Sequence, residues 1–255
     1  MHVTFLGTGT SHGVPMIGCR CPVCTSADPR DRRSRPSAVL AFEDGATVLI
    51  DTSTDLRTQA LSHGLDRLDA VIYTHSHADH IFGFDDLRRF NVLSGGPLPI
   101  YADARTLGDL RRTFAYAFSG GDQAGGGVPQ VDPREVIGPF AILGHEFVPV
   151  PILHGTRPIL GYRVGRFAYL TDCSAIPADS LPLLRGLDVL VLGALRHRPH
   201  PTHFSLREAT EAAGRIGARR TWFTHMCHDL GHAATARDLP AEMGLAWDGL
   251  TIEVG

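Results

Sequence analysis

The sequence contains no lysine, so all 24 of its basic side chains are arginines, and the formal net charge is only −3. A balance this close to neutral excludes a protein that binds nucleic acid mainly by electrostatic attraction. No apolar run approaches the ~20 residues that a membrane-spanning helix needs. The opening MHVTFLGTGT lacks the basic segment of a secretory signal, so we expect a cytoplasmic protein without a membrane partner.

Cysteine is scarce, and its distribution is uneven. The chain has five cysteines, and three of them, Cys19, Cys21 and Cys24, lie within six residues. Without a secretory signal, this spacing argues against a disulfide framework and for a metal site. Three thiolates at these positions can surround one ion, but tetrahedral structural zinc requires a fourth ligand. Cys173 has no partner in the pattern and is predicted to be a small buried side chain.

The length of 255 residues and a hydrophobic content of 43% are sufficient for a large core. The sequence shows no internal repeat, so residues 1–255 are predicted to form one domain. Strands are predicted at Val3–Leu6, Ala38–Phe42, Thr47–Ile50, Ala70–Tyr73, Leu98–Tyr101, Phe147–Ile152, Leu160–Val164, Phe167–Leu170, Val189–Leu192 and Thr221–Phe223, and helices at Leu56–Leu61, Asp85–Leu93, Thr106–Phe118 and Leu206–Ile216. This order favours an α/β layered sandwich.

One segment is poor in core-forming residues. Between Ser119 and Pro133 the sequence contains Gly120-Gly121 and Gly125-Gly126-Gly127. No strand and helix flank these glycines as a phosphate-binding loop requires, so the segment is predicted to be a surface loop.

Histidine is abundant, with fourteen residues, and the densest cluster is His75-Ser76-His77-Ala78-Asp79-His80. It follows a predicted buried strand and supplies four metal-binding side chains on one turn. Because residues two apart on an extended turn can point the same way, His75 and His77 can share one ion, while Asp79 and His80 face a second. Imidazole and carboxylate ligands together suit zinc, manganese or iron.

This HxHxDH turn resembles that of the metallo-β-lactamase superfamily of metal-dependent hydrolases. The opening Phe5-Leu6-Gly7-Thr8-Gly9-Thr10 and the stretch from Gly13-Val14-Pro15 to Cys24 are similar to a narrower branch. That branch contains the cyclic-phosphate phosphodiesterase of the phosphonate carbon–phosphorus lyase pathway. The resemblance covers essentially the whole chain and implies a four-layer αββα sandwich in a single domain, with an N-terminal zinc-binding loop at residues 18–36.

The resemblance also implies the ligands of two divalent ions, zinc or manganese. One ion is assigned to His75, His77, His154 and Asp172, and the other to Asp79, His80, Asp172 and His225. His145 competes with His154 for the mid-chain position, but it is predicted to precede the strand that His154 follows. Asp51 ends a strand at the position where the fold has an acidic residue that accepts a hydrogen bond from a metal-binding histidine. An ordinary helix cap for residues 54–61 is an equal alternative for Asp51.

A third, structural zinc ion is implied at the three cysteines. In the branch its fourth ligand is a histidine three residues after the last active-site ligand, which is His228 here. Cys227 departs from the family pattern and offers a rival ligand.

The segment Arg196-His197-Arg198-Pro199-His200-Pro201-Thr202-His203 holds three further histidines. His203 matches the family position of a substrate-side histidine and is the candidate general acid, with His200 as the alternative. His197 is predicted to be exposed. Arg198 could bind a phosphate, although two arginines on a loop usually form a solvated face.

The resemblance implies a dinuclear hydrolase in which His203, Asp79 and Asp172 form the catalytic centre. The implied substrate is a small phosphodiester, with a cyclic phosphate as the more specific expectation. Two alternatives stay open. One is a ribonuclease Z-like or other nuclease, against which stands the absence of a long basic arm. The other is a non-catalytic metal-binding scaffold in cofactor biosynthesis, against which stands the filled ligand set. Lactams and thioesters are also possible substrates. Relatives in the branch commonly pair, so a homodimer is expected.

Overall fold

The computed structural model describes residues 1–119 and 127–255. Residues 120–126 of the glycine-rich segment for which a surface loop was predicted, including Gly120-Gly121 and Gly125-Gly126, lie outside the described residues. In the part of the chain that is described, no helix combines the length and apolarity needed to cross a bilayer.

The first sheet is formed by seven strands within the described residues: β1 (His2–Gly7), β2 (Ser37–Ala41), β3 (Thr47–Ile50), β4 (Ala70–Ile72), β5 (Leu98–Ala102), β6 (Val131–Glu135) and β14 (Thr251–Glu253). Their spatial order is β14-β1-β2-β3-β4-β5-β6. The neighbours from β3 to β6 pair in parallel, so their carboxyl ends share one edge of the sheet.

The second sheet holds β7 (Phe140–Ile142), β8 (His145–His154), β9 (Arg157–Val164), β10 (Phe167–Leu170), β11 (Val189–Gly193), β12 (Arg220–Thr224) and β13 (Met243–Leu245). The spatial order is β13-β12-β11-β10-β9-β8-β7. Here β10 to β13 are parallel neighbours, which again brings their carboxyl ends to one edge.

The helices cover the outer faces. They are α1 (Leu56–Ser62), α2 (Ala78–Ile81), α3 (Leu87–Ser94), α4 (Ala104–Thr113), α5 (Ala115–Phe118), α6 (Leu206–Ile216) and α7 (His232–Arg237), and short 3-10 turns occupy Pro29–Asp31, Phe84–Asp86 and Ala178–Leu184. Helix α6 has sequence-encoded ends, because Ser205 and Glu208 form a reciprocal capping box and Gly217 turns the chain at φ 70°.

Three clusters of buried apolar side chains lie between these layers. The apolar side chains between the two sheets come from both of them, including Phe5 and Ile50 from the first and Phe147 and Tyr162 from the second. A second cluster fills the space between the first sheet and its helices, and a third lies between the second sheet and α6. The result is the predicted single-domain αββα sandwich.

Several predicted elements differ from the structure at their ends. The helix predicted at Thr106–Phe118 is divided into α4 and α5 at Phe114, whose φ and ψ of −115° and 42° are not helical. The predicted loop that ends at Pro133 includes the start of β6, because Pro133 lies in an edge strand of the sheet, where a missing N–H is tolerated. The short strands β7, β13 and β14 and the helices α2 and α7 were not predicted.

His145 does not precede the mid-chain strand, as the sequence suggested, but is the first residue of β8, which ends at His154. Its Nε2 lies 2.9 Å from a carboxylate oxygen of Asp44, and its ring stacks on Phe42. These contacts hold it at the far end of β8 from His154.

Candidate metal centre

Three side chains enter the candidate centre from strand ends with an unusual backbone conformation. Asp51 follows β3, Asp172 follows β10 and His225 follows β12, and their φ values are 60°, 53° and 59°. Non-glycine residues with positive φ are uncommon, although Asp, Asn and His tolerate this region best. All three lie next to the parallel strand ends, so the turn directs each side chain across the edge where the two sheets meet.

The first ligand group consists of His75, His77, His154 and Asp172, whose candidate ligand atoms all lie within 4.8 Å of one another. His75 and His77 come from the loop between β4 and α2, and His154 ends β8. Of these side chains, His75, His154 and Asp172 are buried, whereas His77 is accessible. The group therefore has one side that is open to solvent.

The second group consists of Asp79, His80 and His225, again within 4.8 Å. Nε2 of His225 lies 3.4 Å from an Asp79 carboxylate oxygen, and Nε2 of His80 lies 3.5 Å from the same oxygen. All three side chains are buried.

Asp172 joins the two groups. Its Oδ2 lies 3.7 Å from Nε2 of His75, while its Oδ1 lies 3.3 Å from Nε2 of His80 and 3.2 Å from Nε2 of His225. One carboxylate oxygen thus faces each group. This is the arrangement that a carboxylate shared by two cations requires.

Hydrogen bonds on the far side of the rings fix two of the histidines. Nδ1 of His80 lies 2.8 Å from an oxygen of the Asp51 carboxylate, and Nδ1 of His154 lies 2.7 Å from the Thr202 carbonyl oxygen. A carboxylate or a carbonyl can only accept, so each ring donates through Nδ1–H and, when it is neutral, presents the lone pair of Nε2 to the centre.

Asp51 also reaches His75 through Thr74. The Thr74 hydroxyl donates to Asp51 over 2.8 Å and lies 3.0 Å from Nδ1 of His75, from which it accepts. The helix-cap alternative for Asp51 is wrong, because Asp55 precedes α1 and Asp51 is fully buried behind the histidines.

The donor set fits two divalent cations. Nε2 of His75 and Nε2 of His80 are buried without a hydrogen-bond partner, although each faces the Asp172 carboxylate. Buried polar atoms are rarely left unpaired, and lone pairs converging on carboxylates are typical of metal ligands. The residues that would hold the cations are the seven that the sequence assigned.

The pKa shifts of His80 and Asp172, in the protein without any cation, also indicate that the charged side chains of the centre interact closely. Burial by itself lowers the pKa of His80, but the carboxylates of Asp172, Asp79 and Asp51 raise it well above its usual value. Burial likewise opposes ionisation of Asp172, but His225 and His80 hold the pKa of its carboxyl well below the usual range. The negative carboxylates therefore require positive charge in their midst, which a protonated histidine or a cation supplies.

His203 lies at the border of this centre. Its Nδ1 is 4.0 Å from an Asp172 oxygen, and its ring stacks on that of His225 with centroids 5.0 Å apart. Burial, followed by the neighbouring His225, lowers the pKa of His203 to about 3. His200 is further out, with its ring 5.2 Å from that of His203, while His197 is exposed.

The cysteine cluster forms a separate group about the loop after β12. Nδ1 of His228 lies 3.2 Å from Sγ of Cys19, 3.4 Å from Sγ of Cys21 and 3.5 Å from Sγ of Cys24. The backbone N–H of Cys24 donates to Cys21 and lowers the pKa of that thiol to about 6. Cys227 lies outside this group, and its sulfur accepts from the N–H of Asp229 instead. Cys173 is buried, as predicted.

A buried arginine, which was not predicted from the sequence, joins the loops around the cysteines. Arg33 is 1% exposed, and its guanidinium donates to the carbonyls of Cys227 over 3.1 Å and of Leu230 over 2.6 Å. It also pairs with Asp31 at 3.2 Å. A buried arginine is held only where its donors find acceptors, so this side chain connects the N-terminal loop to the loop that carries His225 and His228.

Known proteins agree with this geometry. The profile of the β-lactamase superfamily domain matches residues 46–226. The crystal structure of a new diphosphatase from the PhnP family superposes with a TM-score of 0.93 and 47% identity, covering 100% of this chain and 98% of that one. Coenzyme PQQ synthesis protein B from Methylobacterium nodulans is 28% identical over 221 residues, which are 75% of this chain and 72% of that protein.

A further relative is longer than this chain. The octanoyltransferase of Porphyromonas gingivalis is 36% identical over 252 residues, which cover 98% of this chain but 51% of that protein. The chain thus spans about half the length of this curated relative. Fold, ligand groups and full-length similarity together confirm the resemblance drawn from the motifs: the chain belongs to the metallo-β-lactamase superfamily of metal-dependent hydrolases, in the branch of the PhnP family.

Proposed function

We propose that the protein is a dinuclear metal-dependent phosphohydrolase that cleaves a phosphorus–oxygen bond in a small phosphodiester. The observation that carries the proposal is the position of Asp172, which presents one carboxylate oxygen to each of two ligand groups. Similarity over the full chain to a PhnP-family diphosphatase supports a substrate in which phosphorus is attacked. Two divalent cations bound there would activate water and stabilise charge on the phosphoryl oxygens.

Different residues of the centre have different roles in this proposal. The buried Asp51 holds the Nε2 atoms of His75 and His80 toward the centre, which keeps both rings in one tautomer. The open side at His77 leaves room for the substrate to enter. Asp172 and Asp79 supply the negative charge that would hold the cations, and the burial of both excludes bulk water from that side.

His203 is proposed to deliver a proton to the leaving oxygen. Its ring is neutral at pH 7 in the protein alone, because burial lowers its pKa to about 3. A phosphodiester brings a negative charge to the neighbouring site, and a nearby negative charge favours the imidazolium. The substrate is therefore expected to raise the pKa of its own proton donor. In the free enzyme, burial keeps the ring neutral.

A turnover panel tests the proposal. Purified protein loaded with Mn²⁺ or Zn²⁺ is compared on methyl p-nitrophenyl phosphate, a 2′,3′-cyclic nucleotide, a structured RNA, an octanoyl thioester and a β-lactam. We expect hydrolysis of the phosphodiesters and its loss in Asp172→Asn, a variant that separates the enzyme from contaminants. Cleavage confined to the RNA would instead indicate a nuclease. Turnover of only the thioester or the lactam would refute the proposal.

A further inference from the structure

An arginine beside the first ligand group takes no part in the mechanism described above. Arg157 begins β9 and stands directly opposite His154 in the pairing of β8 with β9. Directly opposed residues of antiparallel strands have their side chains on one face of the sheet, so Arg157 extends on the same side as this ligand. Its Nη2 donates to the Ser76 hydroxyl over 2.8 Å. Because Ser76 separates His75 from His77, the guanidinium lies at the edge of the first ligand group, close to its accessible member.

The guanidinium of Arg157 is only partly paired. Its Nη2 is also 3.5 Å from the Asp109 carboxylate, which accepts the hydrogen of the Ser76 hydroxyl as well. Among the described residues neither Nη1 nor Nε has an acceptor, and of these two atoms only Nε is buried. An arginine has five N–H donors, and the side chain of Arg157 is 19% exposed. The Nη1 end is therefore held in place by the contacts of Nη2 and is open to a ligand.

The charges around Arg157 favour an anion at this place. Asp109 is the one carboxylate that pairs with Arg157 in the described part of the chain, and it pairs with Arg112 as well. Burial lowers the pKa of Arg157 and Arg105 adds to this effect, whereas Asp109 and Asp103 oppose it. The Asp103 carboxylate is itself engaged in capping α4. Two guanidinium groups thus share one carboxylate, and an added anion would stabilise the charged form that burial disfavours.

We propose that Arg157 binds a non-bridging oxygen of the phosphodiester and holds the substrate at the open side of the centre. This inference rests on the proposed function. A phosphodiester monoanion carries its charge on two non-bridging oxygens, and guanidinium N–H groups are strong donors to such oxygens. Ser76 and Asp109 are positioning residues, because they hold Nη2 and thereby direct Nη1. Arg157 therefore makes the site prefer an anionic phosphodiester to a neutral phosphotriester.

The binding of two inert compounds isolates this contact. Dimethylphosphinate is a monoanion with two unesterified phosphorus oxygens, trimethylphosphine oxide is its neutral counterpart, and neither has an ester bond to hydrolyse. Phosphorus NMR titration of the zinc-loaded protein measures both affinities. We expect Arg157→Gln to weaken the binding of dimethylphosphinate by about 10-fold or more, as the loss of a charge-assisted hydrogen bond implies, and to leave that of the phosphine oxide unchanged. Arg157→Lys should recover part of the affinity, because it keeps the charge without the planar fork.

Arg112→Gln is the matched control for the loss of one positive charge. Arg112 pairs with the same Asp109 carboxylate, but its side chain is 75% exposed. Within the described residues it makes no hydrogen bond to Ser76. Its affinities for both compounds should stay within about 2-fold of the wild-type values, because the effect of a charge in solvent is screened. Elemental analysis of each variant shows whether the metal content has changed.

A selective loss of dimethylphosphinate binding in Arg157→Gln, with the metal content retained, would support the inference. Equal losses for both compounds, or the loss of a metal ion together with the arginine, would overturn it, because they would show that Arg157 only supports the loop of His75 and His77. An unchanged affinity for dimethylphosphinate would overturn it as well. So would an equal loss in Arg112→Gln, because the effect would then be one of general charge.

Turnover supplies a second comparison. Methyl p-nitrophenyl phosphate and dimethyl p-nitrophenyl phosphate have the same leaving group, but only the first is an anion. In the wild type the diester should have the higher kcat/KM, and Arg157→Gln should reduce this preference by about 10-fold or more. If the wild type hydrolysed no phosphodiester, the proposed function would fail, and the titration would still decide whether Arg157 binds the anion. If Arg157→Gln does not fold, Arg157→Met, with an apolar side chain of similar length, takes its place with the same expected results.

Discussion

The carboxylate of Asp51 lies 2.8 Å from Nδ1 of His80, and neither side chain is exposed to solvent. The same carboxylate accepts from the backbone N–H and the hydroxyl of Thr74, the residue that precedes His75. One buried acid thus orients ligands of both groups. Burial raises the pKa of Asp51, and His80 opposes that shift. Without these partners the carboxylate would be an isolated buried charge.

Replacing Asp51 by Asn tests this relationship. Asparagine keeps the shape but loses the charge, so the Nδ1–H of His80 is held less firmly and its Nε2 becomes a weaker ligand. Changes behind metal ligands usually cost 10–100-fold in metal affinity or activity, and we expect a loss in that range. Competition with a fluorescent chelator measures the affinity. Asp55→Asn, at an acid that pairs with Arg35 away from the centre, is the control. Equal affinity of Asp51→Asn and the control would contradict the assignment.

Elemental analysis tests the number of metal sites. The dinuclear residues and the cysteine cluster share no residue, so the purified protein is expected to contain three ions per chain. Mild chelation should remove the two at the histidines and leave one zinc, because thiolates bind zinc tightly and the loops around them are fixed by Arg33. A folded sample without a tightly held ion would refute the two-site arrangement.

Separate mutations should distinguish a structural site from a catalytic one. Cys21→Ser is expected to lose the chelation-resistant zinc and to unfold at a lower temperature, since structural zinc contributes to folding. Asp79→Ala is expected to keep most of the stability and to lose turnover. Cys227→Ser is the control for the first change, because Cys227 lies outside the cluster. A Cys21→Ser protein as stable as the wild type but inactive would reverse the two roles.

The candidate ligand residues that the sequence identified lie close together in the structure, and most of them could be named because the strongest motif is local. His75, His77, Asp79 and His80 lie within six residues, and the remaining ligands follow strands whose apolar patterns are clear. Where the choice between two candidate ligands depends on tertiary contacts, the sequence alone left both candidates open. Both His228 and Cys227 follow β12, and only the positions of the three cysteine sulfurs show which side chain faces them.

Backbone conformation and buried polar contacts were beyond prediction. Nothing in the sequence around Asp51, Asp172 or His225 indicates a positive φ, because that conformation results from the strand ends and the contacts they must reach. Arg33 sits among several arginines of the same segment, and its burial depends on carbonyls that lie 194 and 197 residues further along the chain. Such contacts exist only once the chain has folded.

Acid should destabilise the protein partly through His232. Burial, together with the positive charges of Arg30 and Arg33, lowers the pKa of His232 to about 4 from its ordinary value of 6.5. The unfolded chain therefore takes up this proton at a higher pH than the folded one, so stability is lost as the pH falls from 6.5 toward 4.

The His232→Gln variant cannot take up that proton, so its free energy of unfolding should fall less between pH 7 and pH 5. We expect a difference of about 1 kcal/mol between the two proteins, less than the full linkage value because solvent reaches part of the ring. Urea unfolding at each pH measures it. Because both proteins keep the same metal ligands, acid release of metal affects them equally. Parallel pH profiles would exclude His232 as a cause.

The role of His203 is tested by the leaving group. His203→Ala should retain its metals, because the seven ligands and Asp51 are unchanged. It loses a proton donor, an effect worth roughly 10²–10⁴-fold where the leaving oxygen needs a proton. An alkoxide needs that proton, whereas p-nitrophenolate leaves readily without it. The variant should therefore be slowed severely on dialkyl or ribosyl diesters and only mildly on methyl p-nitrophenyl phosphate, as steady-state kinetics at matched metal content would measure.

His200→Ala is the matched variant for this test, because His200 lies beside His203 but further from Asp172. It should affect both classes of diester to the same small extent, because it leaves the proposed proton donor in place. Equal losses on alkyl and aryl diesters in His203→Ala would mean that His203 positions the substrate or supports the ligands. A strong leaving-group dependence in His200→Ala, with His203→Ala near normal, would transfer the proton donor to His200, because a general acid is identified by the bond whose cleavage needs its proton.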